Sequence, residues 1–110
     1  MTQLFMYIRE RTCHDQQVAR LCLQEFSVPY TEVDISHEPD AALELDELIG
    51  CLAVPTLVIA DDERRPLTPP DPLGRFQSVR NLDRGSVISE PSREGLRQFL
   101  IKHALLYPTT

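Results

Sequence analysis

Apolar and polar residues in the first half of the chain follow the pattern of strands separated by helices. Apolar residues are nearly continuous in Gln3–Ile8 and Thr56–Ala60, which is typical of strands covered on both faces. In residues 30–35 one set of alternate positions carries the acidic residues and the other set the apolar ones, which predicts a strand with one covered face. Two segments between these strands have the spacing of amphipathic helices. Their apolar stripes are Val18, Leu21, Cys22 and Phe26 in the first helix, and Ala41, Leu45, Leu48 and Ile49 in the second.

This regular pattern stops after the third strand. Residues 61–85 are polar and contain four prolines, so we predict an irregular insertion with room for a short strand or helical turn near residues 76–79. Residues 86–89 fit a short edge strand, and residues 90–92 should begin a last helix. The order strand, helix, strand, helix, strand predicts a parallel βαβ arrangement within one domain, residues 1–110. The stripe of the last helix is Leu96, Phe99, Leu100, His103 and Tyr107.

The turn between the first strand and the first helix holds the candidate chemistry. We expect Cys13 in the first turn of the helix, with Thr12 as its N-cap. The free N–H groups and the dipole of a helix amino end stabilise an anion, and the thiolate is the reactive form of cysteine. Arg9 and Arg11 add positive charge nearby, whereas the carboxylate of Asp15 opposes a thiolate. Cys13 is therefore a candidate nucleophile, and the alternative is an inert cysteine in a scaffold that does not catalyse.

Composition and charge narrow the choice of function. A net charge of −6 and a pI of about 4.9 argue against nucleic acid as a partner. No apolar run approaches the ~20 residues that a membrane-spanning helix needs, so we expect no membrane partner. Three cysteines without a recognisable export signal lead us to expect a reducing, cytoplasmic location. The cysteines and histidines lack the paired spacing of zinc ligands, so we predict no metal site.

Several segments recur, in this order and spacing, in one known family. Tyr30 stands 17 residues after Cys13 in the segment Val28-Pro29-Tyr30-Thr31-Glu32-Val33-Asp34, and Val54-Pro55-Thr56 precedes the third strand. Together with Tyr7-Ile8-Arg9 and Glu38-Pro39-Asp40-Ala41, these segments resemble the glutaredoxin branch of the thioredoxin-fold family. The resemblance implies a thioredoxin-like α/β fold: a four-stranded mixed sheet, three or more helices, and an insertion between the third and fourth strands. It also implies a cis bond at Val54–Pro55.

The candidate redox motif departs from the family pattern at one cysteine. The family has C-x-x-C, whereas Cys13-His14-Asp15-Gln16 carries glutamine in the second position. The resemblance therefore implies a single-cysteine thiol–disulfide redox protein with Cys13 as the catalytic residue. Cys51, in the loop before Pro55, is a possible resolving thiol. We expect Arg9, Arg11, Val54 and Pro55 to bind the substrate, and the resemblance implies that the loop at Val54–Pro55 presents the substrate backbone.

The family binds glutathione, but two of the segments that it uses for this binding are replaced in this chain. The polar residues before V-P are Cys51-Leu52-Ala53 here, and Ser89-Glu90-Pro91-Ser92 replaces a G-G-x-D element. We therefore predict no bound cofactor and poor use of glutathione. Oxidised proteins or small-molecule thiols are the expected partners of the redox protein. The alternative function is a non-catalytic thioredoxin-fold module that binds a protein partner.

Overall fold

The protein is an α/β structure built on one five-stranded mixed sheet with the strand order β2-β1-β3-β5-β4. The computed structural model describes residues 1–108. Within these residues three helices flank the sheet, so the expected mixed α/β architecture is confirmed, with one strand more than expected. The elements are β1 (Gln3–Ile8), α1 (His14–Glu25), β2 (Thr31–Asp34), α2 (Pro39–Ile49), β3 (Thr56–Ala60), β4 (Leu82–Asp83), β5 (Val87–Ser89) and α3 (Arg93–Lys102).

The first three strands do not form the expected all-parallel unit. β1 is parallel to β2 but antiparallel to β3. Ile8 pairs with Asp34 at the end of β2, and Tyr7 pairs with Thr56 at the start of β3. β3 therefore starts at the same edge of the sheet at which β1 and β2 end. The chain leaves β2 there, passes through α2 and re-enters the sheet from that edge, so β3 runs antiparallel to β1. Hydrophobic periodicity reports which faces of an element are covered but not this direction. The prediction of a parallel βαβ unit therefore holds for β1, α1 and β2 but was wrong for β3.

Two hydrophobic clusters cover the two faces of the sheet. Successive residues of β1 point alternately into one and the other, which explains its continuous apolar run. The first cluster is formed with α1 and α3 and the second with α2. The predicted stripe of α1 was partly wrong, because Leu21 is 59% exposed whereas Leu23 is fully buried. The buried residues of α1 are Gln16, Ala19, Cys22 and Leu23.

The helix ends show how local sequence limits each element. α2 ends at Gly50, whose φ of 84° lies in the left-handed region that favours glycine. α3 begins after Ser92, whose hydroxyl accepts a hydrogen bond of 3.0 Å from the Gly95 N–H. The predicted stripe of α3 extends too far, because the helix ends at Lys102 and Tyr107 is 88% exposed. A left-handed residue, Ala104, follows that end and turns the chain away.

Residues 61–85 form an irregular but anchored segment, which we call the insertion. Its start pairs with β3 through a bridge between Ala60 and Pro66, and its end supplies β4, which covers the outer side of β5. Residues 86–89 therefore do not form the sheet edge, contrary to expectation. Phe76 lies in a turn with a φ of 65° and is 95% exposed, so no strand or helix occurs near residues 76–79. Within residues 1–108, no helix is both long and apolar enough to cross a bilayer.

Candidate active site

The ends of several elements meet at one edge of the sheet. β1 ends there, β3 starts there, and the amino end of α1 follows directly from the β1 turn. The Val54–Pro55 peptide bond is cis. The Pro55 carbonyl accepts a 2.7 Å hydrogen bond from the Glu90 N–H, and the Thr56 and Ser89 hydroxyls are 2.7 Å apart. These contacts fix the loop before β3 to the chain that leaves β5.

Cys13 lies at this edge as the N-cap residue of α1. Its backbone is extended, with φ −101° and ψ 171°, and its carbonyl accepts a 3.1 Å hydrogen bond from the Gln17 N–H. The thiol makes no capping bond and is exposed to solvent. The expected position was therefore wrong by one residue, and Thr12 is not the cap. The Thr12 hydroxyl instead accepts a hydrogen bond of 3.3 Å from the Arg20 guanidinium.

Gln16, the residue in place of a second cysteine, is completely buried at the start of α1. Its side-chain amide donates to the Arg9 carbonyl at 2.9 Å, and its carbonyl oxygen accepts from the Arg9 N–H at 3.0 Å. A primary amide offers both a donor and an acceptor, and here it pairs with both polar groups of one backbone residue. Gln16 therefore closes the turn that carries Cys13, a role that sequence reasoning missed.

The four residues expected to bind substrate differ in their burial and in their hydrogen bonds at this edge. The Arg9 guanidinium donates to the Leu52 carbonyl at 2.7 Å, so it joins the β1 turn to the loop before Pro55. Arg11 is exposed, and within residues 1–108 it has no hydrogen bond or ion pair. Val54 and Pro55 are buried, so they can meet a substrate only through their backbone and a small part of their side chains.

Arg80, from the insertion, forms a two-pronged ion pair with Asp15 on the first turn of α1. The two guanidinium nitrogens lie 2.6 and 3.1 Å from the two carboxylate oxygens of Asp15. Glu90 is a second, weaker partner at 3.9 Å. The hydrogen bond with Asp15 is the main cause that raises the pKa of Arg80, and the charges of Asp15, Glu90 and the Cys13 sulfur contribute less. The positive charge of Arg80 is therefore within electrostatic reach of Cys13.

The family model for glutaredoxin matches residues 3–64, which is more than half of the chain. The chain belongs to the glutaredoxin family. This membership agrees with the mixed sheet and flanking helices, which are consistent with a thioredoxin-like fold, and it supports a redox function of the glutaredoxin kind. The match contains Cys13, Gln16 and the cis-Pro loop, whereas β4, β5, α3 and most of the insertion follow it. A comparison with curated protein sequences found no match.

The three thiols of this glutaredoxin-family chain lie in different surroundings, and none forms a disulfide within the described residues. Cys13 is exposed, whereas Cys51 is half-buried and packs against the hydrophobic cluster under α2. Cys22 is 2% exposed, as its place on the apolar stripe predicted. The Arg93 guanidinium lies 3.7 Å from the Cys22 sulfur. Exposure therefore singles out Cys13 as the thiol that external molecules reach first.

A buried tyrosine anchors the other face of the sheet, away from α1. Tyr7 is fully buried and donates a hydrogen bond to the Glu44 carboxylate, which also pairs with Arg64 at 2.9 Å. Burial is the main cause that raises the pKa of Tyr7 above its ordinary value, and the bond to Glu44 adds to it. This cluster fastens β1, α2 and the start of the insertion together.

Proposed function

We propose that this protein is a thiol–disulfide redox protein that works through Cys13 as its only active-site cysteine. The observation that carries the proposal is the exposed Cys13 thiol at the N-cap of α1, at the edge of the sheet where the cis-Pro loop also lies. The proposal is further supported by Gln16, because the position of the family's second cysteine holds a buried amide that is committed to Arg9. Oxidised proteins and small-molecule disulfides are the proposed substrates.

The reaction consists of two thiol–disulfide exchanges. In the first, the Cys13 thiolate attacks one sulfur of a disulfide; a bond from Cys13 to that sulfur forms, the original S–S bond breaks, and the other sulfur leaves as a thiolate. In the second, an external thiolate attacks the mixed disulfide and releases the Cys13 thiolate. The net result of one cycle is that a new disulfide joins the external thiol to one substrate sulfur, the other substrate sulfur leaves as a thiol, and protons are exchanged with water. A dithiol reductant completes the reduction when its second thiolate attacks this new disulfide, forms an internal disulfide and releases the remaining substrate sulfur as a thiol.

Cys51 offers a different second step, in which its thiolate attacks the Cys13 sulfur and the substrate sulfur leaves as a thiolate. An external reductant must then reduce the Cys13–Cys51 disulfide. That step needs the two Cα atoms within ~7 Å of one another. The half-buried position of Cys51 makes its thiol less accessible than that of Cys13. We therefore propose that an external thiol resolves the mixed disulfide, and Cys51 remains the alternative resolving residue.

The surroundings of α3 support the prediction that glutathione is a poor reductant. A helix amino end attracts anions because its first N–H groups lack partners. In this protein the Ser92 N–H donates to the Asn81 side-chain oxygen at 2.8 Å, and the Gly95 N–H donates to the Ser92 hydroxyl at 3.0 Å. The chain's own oxygens thus occupy two of the N–H donors at the start of α3, which leaves fewer of them for a carboxylate of glutathione.

Reduction of a low-molecular-weight disulfide tests the proposal, measured separately with glutathione and with a dithiol as reductant. Cys13→Ser should abolish the catalysed rate with the dithiol, whereas Cys51→Ser should retain it if an external thiol resolves the intermediate. Loss of activity in Cys51→Ser would assign the resolving step to Cys51. A wild-type rate no higher than that of Cys13→Ser with either reductant would overturn the enzymatic proposal and favour the alternative, a non-catalytic protein-binding module.

A further inference from the structure

Arg80 comes from a part of the chain outside the glutaredoxin match, yet it meets the first turn of the helix that carries Cys13. Its contact with Asp15 spans 65 positions in the sequence and uses two nitrogens and two oxygens. Two-pronged pairs of this kind are geometrically more specific than single contacts between a cation and a carboxylate. The contact therefore joins the end of the insertion to the first turn of α1 in a defined geometry.

The backbone around Arg80 is held at the sheet edge. Arg80 forms an isolated bridge with Ser89, and the next residue, Asn81, donates its N–H to the Ser89 carbonyl at 2.8 Å. The Asn81 side chain accepts hydrogen bonds from the N–H and the hydroxyl of Ser92 at 2.8 and 3.2 Å. β4 then starts at Leu82. These contacts place the guanidinium beside α1 without requiring the rest of the insertion to be rigid.

Asp15 is an unfavourable neighbour for a nucleophilic thiol. Its carboxylate stands two residues after Cys13 on the same helical turn, and a nearby negative charge disfavours a thiolate. The other charged or titratable groups around this edge come from α1, the β1 turn, the end of β2, the loop before β3 and the end of β5. They are His14, Arg9, Glu10, Arg11, Asp34, His37, Cys51 and Glu90. Glu90 adds to the unfavourable charge, and Arg9 is committed to the Leu52 carbonyl. Arg80 is the cation that contacts both Asp15 and Glu90.

We propose that Arg80 is a positioning residue for the Cys13 reaction: by pairing with Asp15 it neutralises the carboxylate that would otherwise oppose the Cys13 thiolate. This inference rests on the proposed use of Cys13 as the nucleophile. The Arg80 side chain is 61% exposed, so solvent and salt screen its charge. The effect should therefore be modest at low ionic strength and smaller at high ionic strength.

The rate at which Cys13 is alkylated by iodoacetamide, at pH 7 and low salt, tests this proposal. The reagent is neutral, so its own attraction to the protein does not depend on Arg80. Arg80→Ala should lower the rate by about threefold, the size that Coulomb's law gives for one unit charge ~6 Å from a thiolate at the dielectric constant of water, ~80. Arg80→Lys should retain a rate closer to wild type. Arg75→Ala, at an exposed arginine elsewhere in the insertion, is the matched control and should change nothing.

The double variant separates charge compensation from a structural effect. In an Asp15→Asn background, the effect of Arg80→Ala should shrink to less than half of its wild-type logarithmic value, because Asp15 no longer holds the exposed guanidinium beside the first turn of α1. In 1 M salt the difference in alkylation rate between the wild-type protein and Arg80→Ala should also shrink. An equal loss of rate in both backgrounds, or no loss in either, would overturn the proposal for Arg80. A wild-type Cys13 that is alkylated no faster than the buried Cys22 would instead overturn the proposed nucleophile itself.

Discussion

Replacement of Gln16 by alanine tests whether the buried amide closes the turn that carries Cys13. The change removes both hydrogen bonds to the Arg9 backbone, at 2.9 and 3.0 Å, and empties part of a completely buried site. Each bond contributes about 0.5–1.5 kcal/mol net, and the lost packing of the side chain adds on the order of 1 kcal/mol. Water can partly replace the amide because Arg9 is itself exposed. We therefore expect Gln16→Ala to lower the free energy of unfolding by about 2–3 kcal/mol.

Urea unfolding followed by far-ultraviolet circular dichroism measures this loss. Gln17→Ala is the matched control, because Gln17 is the exposed neighbour on the same helix and the chemical change is identical. We expect the control to stay within about 0.5 kcal/mol of wild type. Gln16→Cys restores the family's cysteine pair but loses the same two bonds, so its reduced form should also be destabilised. A Gln16→Ala variant as stable as Gln17→Ala would refute the closing role of the amide.

Two further predictions concern the two faces of the sheet. Cys22→Ala should cost on the order of 1 kcal/mol of stability while leaving the reactivity of Cys13 intact, because Cys22 is 2% exposed; labelling of Cys22 in the native protein as fast as labelling of Cys13 would contradict this. Tyr7→Phe should cost about 1 kcal/mol through the lost bond to Glu44. The same substitution should weaken the pH dependence of unfolding: since the folded pKa of Tyr7 is raised, its stabilising contribution is present below about pH 10 and is lost as the pH rises beyond that value. Equal alkaline losses in Tyr7→Phe and wild type would show that Tyr7 is not the group responsible.

The strands were predictable where both of their faces are covered. β1 and β3 appear in the sequence as continuous apolar runs because their residues alternate between the two hydrophobic clusters. The stripe of α1 was harder to place, since it begins with a polar residue, Gln16, whose burial depends on two hydrogen bonds to the β1 turn. The N-cap was misplaced for a similar reason, because the Thr12 hydroxyl is bound to Arg20 instead of to the helix.

Long-range contacts explain the part of the candidate site that could not be predicted. Cys13 and the Val54–Pro55 loop could be named from motifs and spacing, because both lie in the segment shared with the family. Arg80 could not, since its pairing with Asp15 joins positions 65 residues apart and lies in an insertion with no periodic pattern. β4 has only two residues, which is too short for an alternating pattern to be detected.

Identification of the first mixed disulfide shows which cysteine is the nucleophile. The reduced protein is mixed with a small-molecule disulfide for a short time, quenched with acid, digested and mapped by mass spectrometry. We predict that the adduct forms first on Cys13, that Cys22 carries none while the protein is folded, and that Cys13→Ser fails to form an adduct at a comparable rate. Adduct formation on Cys51 before Cys13, or equal rates in wild type and Cys13→Ser, would show that Cys13 is not the nucleophile.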